Sequence, residues 1–116
     1  MIKVNINKDK KINSIEVRGH ALYDDYGKDI VCASVSSIVT TTVNGLGKID
    51  KCCIECIENK NGLNIKILKH SKVIDALLDN MIELLKELEL NYKKASYLLR
   101  CLFYYAFHID NIFIYL

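Results

Sequence analysis

A chain of 116 residues is long enough for one hydrophobic core and too short for two. Its 16 Lys and Arg stand against 14 Asp and Glu, and the net charge of +2 is too small to argue for a nucleic-acid partner by itself. Five cysteines is an odd count, and the opening MIKVNINKDKK alternates apolar with polar residues, unlike a secretory signal. A reducing cytoplasm with free thiols is therefore the expected setting.

Met1 to Asn7 alternates through Ile2, Val4 and Ile6, the period-two pattern of a half-buried strand. Lys8 to Lys11 supplies a charged turn, and Ile15 with Val17 resumes the alternation up to Gly19, so a hairpin is expected. The basic run is read as solvated, with contact to RNA as its competing use.

Gly19 to Ser36, GHALYDDYGKDIVCASVS, concentrates the chemistry. Asp29-Ile30-Val31-Cys32 looks like a helix start, with Asp29 as the capping acceptor. Cys32 then falls in the first helical turn, where unpaired amides and the positive end of the dipole stabilise a thiolate. A neighbouring imidazole, that of His20, would lower the thiol pKa further and carry its proton. The competing reading makes Cys32 a small buried hydrophobe and His20 a strand-end residue. Three features favour the chemical reading. Gly19 lets the chain turn sharply at the histidine. The segment Leu22 to Lys28, with two Tyr, two Asp and Gly27, has the polarity of a substrate-contacting loop. Ser36 and Thr40 follow Cys32 at intervals of four, a polar line on a helix otherwise rich in Val and Ile.

The expected helix covers Asp29 to Leu46 and is ended by Asn44-Gly45 and Gly47. Its Val, Ser and Thr content has poor helix propensity, so burial must hold it, and on propensity alone a strand over Val35 to Val43 stays open. Lys51 to Asn59 and Leu63 to Leu68 form a second hairpin around Asn59-Lys60-Asn61-Gly62. Cys52, Cys53 and Cys56 fall on its first strand. Cys53-x-x-Cys56 invites a metal or redox reading, but residues three apart on a strand point to opposite faces, and a redox pair normally opens a helix. Structural thiols are expected there, with no metal.

Ser71 to Leu90 carries the strongest helical period, with Val73, Ile74, Leu77, Leu78, Met81, Leu84, Leu85 and Leu88 as its core stripe. Ser71 is the expected N-cap and His70 a solvated turn residue. Beyond Asn91 the chain turns much more apolar, YKKASYLLRCLFYYAFHIDNIFIYL. Arg100, His108, Asp110 and Asn111 make Leu98 to Leu116 a poor membrane-spanning helix. Cys101 and His108 read as incidental residues of an apolar segment. An added core element, an oligomer contact and a misread end of the gene all remain open for this tail.

In its Gly-His-Ala, Gly-Lys-Asp-Ile-Val-Cys-Ala, Val-Ser-Ser and Val-Asn-Gly-Leu blocks, the chain resembles the ribosomal-processing cysteine protease family, Prp. The resemblance runs from about Met1 to about Asn91, which sets apart a protease-like domain, 1–91, from a tail, 92–116. It implies that His20 and Cys32 are the catalytic dyad and that Gly19, Gly27, Asp29 and Ser36 support the site or bind substrate. It settles the first helix as a helix. It also implies the substrate: the N-terminal extension of a large-subunit bacterial ribosomal protein, cut after aromatic residues. A homodimer is implied too, and the family closes with a short lysine- and aromatic-containing strand from which this tail departs.

The order strand-strand-helix-strand-strand-helix predicts an α+β two-layer sandwich, an antiparallel sheet of four or more strands with both helices on one face. The expected chemistry is peptide-bond hydrolysis by a cysteine endopeptidase, with no cofactor, no membrane and no direct nucleic-acid role. Two rivals are a non-catalytic ribosome- or RNA-binding module, suggested by Lys8 to Lys11, Arg18 and Lys28, and a structural zinc protein using Cys52, Cys53, Cys56 and a histidine.

Overall fold

The computed structural model describes residues 2–19, 26–91 and 111–115. Its elements in chain order are β1 Lys3–Lys8, β2 Ile12–Arg18, α1 Tyr26–Ile49, β3 Ile54–Asn59, β4 Gly62–Ile67, α2 Lys72–Asn91 and β5 Asn111–Tyr115. The strands form one sheet in the order β3-β4-β2-β1-β5, with every neighbouring pair antiparallel. This is the expected two-layer α+β sandwich, with a fifth strand added.

Alternation puts one face of each central strand into the core. Ile2, Val4 and Ile6 are buried, whereas Lys3 and Asn5 between them are half-exposed. On β2 the buried pair is Ile12 and Ile15, three residues apart, which strict alternation forbids. The register explains it: Asn7 pairs with Ser14 but Lys8 pairs with Ile12, so Asn13 is an extra residue on β2. The bulge turns Ile12 back to the core side, and Asn13 is exposed. Sequence alternation therefore located β2 from Ile15 onward and missed its first turn of the pleat.

Helix α1 buries Val31, Val35, Val39, Thr42 and Leu46 along one stripe. Thr42 sits among them because its hydroxyl donates to the Ile38 carbonyl at 3.0 Å. The helix exceeds the expected Asp29–Leu46 span at both ends. At the far end, completely buried Leu46 anchors the last turns, and the Asp50 amide donates to the Leu46 carbonyl at 3.0 Å, so Gly45 and Gly47 lie inside the helix. Gly45 faces α2, where a side chain would meet Leu77 Cδ1 at 4.0 Å.

The second hairpin turns where expected: Asn59 pairs with Gly62, and the Asn59 carboxamide oxygen accepts the Asn61 amide at 2.8 Å. Its first strand begins only at Ile54, which places Cys52 and Cys53 in the preceding turn and not on the strand.

Ser71 caps α2 as predicted, its hydroxyl accepting the Ile74 amide at 3.2 Å. The buried stripe is Ile74, Leu78, Met81, Ile82, Leu85 and Glu89. Val73 and Leu84, expected in the core, are exposed because the helix covers the sheet with a narrower face than its apolar content offers. His70 is more than a solvated turn residue. Its Nδ1 lies 2.7 Å from an Asp75 oxygen, and Lys11 Nζ lies 3.1 Å from the other. The hydrogen bond with His70, then that with Lys11, holds the Asp75 carboxyl below its usual range.

Of the tail, Cys101, His108, Arg100 and Asp110 lie outside the described residues. Its end is β5, paired with β1 so that Ile114 stands opposite Val4, both completely buried. Among the three readings left open, this finding favours an added core element. Ile114→Ala should therefore lower the unfolding free energy by about 2–5 kcal/mol. Urea denaturation checks this, and an unchanged midpoint would place β5 outside the cooperative unit.

Candidate active site

Cys32 is the seventh residue of α1, not a first-turn residue. The helix begins at Tyr26, so Tyr26, Gly27 and Lys28 belong to it and not to the preceding loop. Asp29 is its fourth residue and not its cap. This corrects the expected first-turn placement of the cysteine and the expected capping role of Asp29. Unpaired amides and most of the dipole's effect are confined to the first turn, and the Cys32 amide lies inside the hydrogen-bonded ladder.

The thiol is nevertheless open to chemistry. Cys32 is half-buried and packs at the rim of the core, next to buried Val31, while Ala33, Ser36 and Ser37 are exposed. Ser36 and Thr40 continue the polar line on the solvent side, as the spacing predicts. The rotation of α1 that buries Val31 and Val35 leaves Cys32 about 100° round the helix from Val31, at the edge of the covered face.

His20 lies outside the described residues, as do Ala21, Leu22, Tyr23, Asp24 and Asp25. The strand end that carries it is described. Arg18, the last residue of β2, pairs with Lys3 on one side and Gly62 on the other. Gly19 follows with φ 94°, a backbone conformation that suits glycine. Arg18 Nη2 lies 2.6 Å from Glu16 Oε1 and Lys11 is engaged by Asp75, which neutralises two cations on which the RNA-binding reading drew.

The other described cysteines differ from Cys32. Cys53 is completely buried, and its Sγ donates to the Leu46 carbonyl at 3.5 Å. Desolvation, then the nearby Asp50 carboxylate, pushes its pKa up. Cys56 is exposed on β3, its pKa raised by desolvation and then by Cys53. Cys52 is exposed in the turn. The three thus point into different surroundings, and among the described residues no three His, Cys, Asp or Glu side chains gather as a metal site would require. Among the same residues no helix is long and apolar enough to cross a membrane.

The fold is that of a processing protease. The crystal structure of an essential ribosomal processing protease Prp from S. aureus, in complex with a covalently linked product peptide, superposes with a TM-score of 0.71 and 26% identity. The match covers 82% of this chain and 94% of that one. The chain belongs to the family described as cysteine protease Prp, whose model matches residues 1–96. The Mycoplasma genitalium ribosomal processing cysteine protease Prp is 42% identical over 60 residues, 52% of this chain and 54% of that protein. The Bacillus subtilis protein of the same description is 42% identical over 48 residues, 40% of this chain and 43% of that one. In these alignments the chain spans about half the length of the curated relatives it matches.

The surroundings of the cysteines set an order of reactivity. In the native protein, iodoacetamide should modify Cys52 faster than Cys56, whose raised pKa leaves less thiolate at neutral pH. Cys53 should react only as fast as the protein opens. Mass mapping of partially alkylated protein checks the order, and rapid modification of Cys53 in the folded chain would contradict its burial.

Proposed function

We propose that this chain is a cysteine endopeptidase that removes the N-terminal extension of a large-subunit bacterial ribosomal protein, cutting after aromatic residues. The observation that carries the reading is the position of Cys32. In a chain of the Prp family, the cysteine of the Asp-Ile-Val-Cys block stands half-buried on α1 beside an exposed polar flank. The covalently linked peptide on the S. aureus protein of the same fold supports a route through an acyl-enzyme.

In the proposed reaction His20 takes the Cys32 proton, and the thiolate attacks the scissile carbonyl. Cys32 lies in the second turn of α1. The free amides of α1 belong to Tyr26–Asp29, about 4.5–9 Å along the axis from Cys32. These are the candidate oxyanion donors once the substrate is seated. The imidazolium then protonates the leaving amine as the C–N bond breaks. Water, losing a proton to His20, attacks the thioester and releases the carboxylate product and the thiol. Gly19 and the first-turn residues Gly27 and Asp29 support the site, and Ser36 lines the solvent side of α1. The reaction as written uses no cofactor. The setting is the cytoplasm, and the working unit is a homodimer.

Cys32→Ala should lower cleavage of a ribosomal-protein N-terminal peptide at least about 1,000-fold, and His20→Ala about 100- to 10,000-fold, with unfolding midpoints unchanged. Mass spectrometry of the peptide reads the products, and cleavage retained by Cys32→Ala would end the protease reading. Sedimentation equilibrium should give a mass near twice 13.3 kDa, and a monomer at working concentration would remove the dimer from the proposal.

A further inference from the structure

Strand β3 is one edge of the sheet, and Glu55 to Asn59 are all exposed. The phase of its hydrogen bonds follows from one contact. The Leu68 amide donates to the Cys53 carbonyl at 2.8 Å, so Cys53 and Leu68 are a bonded pair. The register with β4 is unbroken, and alternation then makes bonded pairs of Glu55–Lys66, Ile57–Asn64 and Asn59–Gly62. The amides and carbonyls of Ile54, Cys56 and Glu58 therefore point off the sheet, an open row of donors and acceptors. Such edges are usually blunted by Lys, Pro or a bulge, and β3 carries none of the three.

This open edge lies beside Cys32. Helix α2 touches β5 on the far side of the sheet, whereas the last turns of α1 touch the start of β3, where Cys53 Sγ meets the Leu46 carbonyl. A Cβ on Gly45 would stand 4.0 Å from Leu77 of α2, so Gly45 marks the flank of α1 that faces α2. At about 100° per residue, Gly45 stands about 80° to one side of buried Val35 and Cys32 about 60° to the other. Cys32 is thus on the flank turned toward β3. From the Leu46–Cys53 contact, Cys32 lies about 21 Å back along α1 and Asn59 about 20 Å on along β3. The thiol is level with the Glu58 end of the edge. Glu58 pairs with Leu63, so no cation opposes its carboxylate from β4.

We propose that the substrate polypeptide binds in extended form as a sixth strand on β3, with a Lys or Arg near the scissile bond meeting Glu58. The inference rests on the reading of Cys32 as the nucleophile given above. Pairing with the backbone of Ile54, Cys56 and Glu58 fixes the register of the peptide, and so decides which carbonyl reaches the thiol. A basic segment fits this edge better than a second copy of β3, which would line Glu55 and Glu58 of both chains along one seam.

The test uses the full chain and a ribosomal-protein N-terminal peptide. Proline at position 56 removes one outward amide and leaves the β3–β4 bonds in place. Cys56→Pro should raise KM about 5- to 10-fold, with the rate of Cys32 alkylation within about twofold of wild type. On the wild-type enzyme, the peptide is N-methylated one residue at a time, the scissile amide excepted. KM should rise about 10-fold at every second residue and stay level at those between. Glu58→Lys should raise KM for a peptide with Lys near the scissile bond and lower it for the same peptide with Glu there. A scan without alternation, or a Glu58→Lys variant without that exchange of preference, would overturn the inference whether or not Cys56→Pro folds. A folded Cys56→Pro with wild-type KM would overturn it too, and a dimer turned monomer in that variant would assign the edge to a second copy. Cleavage retained by Cys32→Ala would instead end the nucleophile reading. Cleavage lost in Cys32→Ala beside a flat scan would keep that reading and remove only the added strand.

Discussion

Three isoleucines stacked across the middle of the sheet, Ile65, Ile15 and Ile6, are each at most 1% exposed, and both helices close over that row. Each such side chain contributes about 1.5–3 kcal/mol by leaving water. The row also decides geometry. A sheet that buries one face obliges each covering helix to turn its own apolar stripe inward, and α1 does so through Val31, Val35, Val39 and Leu46. Once that stripe is seated, the direction of every other residue on α1 follows. Cys32, one residue past buried Val31, comes to the rim, neither sealed in the core nor free in solvent.

Cys32 stands beyond the first turn of α1, so the free amides and the positive dipole end of that helix lie up the chain from it. At the end of β2, Gly19 follows with φ 94°, and β4 comes close where Gly62 faces the Val17 carbonyl. The remaining cysteines play no comparable part. Cys53 is spent on packing under the last turn of α1, where its Sγ meets the Leu46 carbonyl. This anchors the α1–β3 connection, together with the Asp50 carboxylate that accepts the Cys52 amide at 2.8 Å and lies 2.8 Å from Lys69 Nζ.

Helix α1 shows why local preference and final structure can part. Its Ser, Thr and Val residues would not hold an isolated helix, and two glycines near its end each cost about 1 kcal/mol relative to alanine. Burial of its valine stripe and of Leu46 offsets those costs. The apolar tail was ambiguous for a related reason. Its composition suited a core element, an interface or no structure at all, and the pairing of Asn111–Tyr115 with β1 gives it a place in the core.

Much of the architecture was legible in local pattern: the alternation of β1, the Asn59 to Gly62 turn, the Ser71 cap and the period of α2 each depend on residues close in sequence. The candidate chemistry, a histidine after a glycine and a cysteine in a helix, was likewise read from residue types and their spacing. What local pattern could not supply was anything set by a distant partner. The bulge at Asn13 depends on which residue of β1 lies opposite. The exposure of Val73 and Leu84 depends on how wide a face the sheet offers α2. The full span of α1, and with it the loss of Asp29 as a cap, depends on burial along the sheet. The amino-acid sequence by itself thus determined the element types, their order and the candidate chemistry, since these arise from nearest-neighbour preference and periodicity. Only the tertiary structure decided where the helix begins, which apolar residues are covered and how the strand end is held, since these are settled by contacts between segments far apart in the chain.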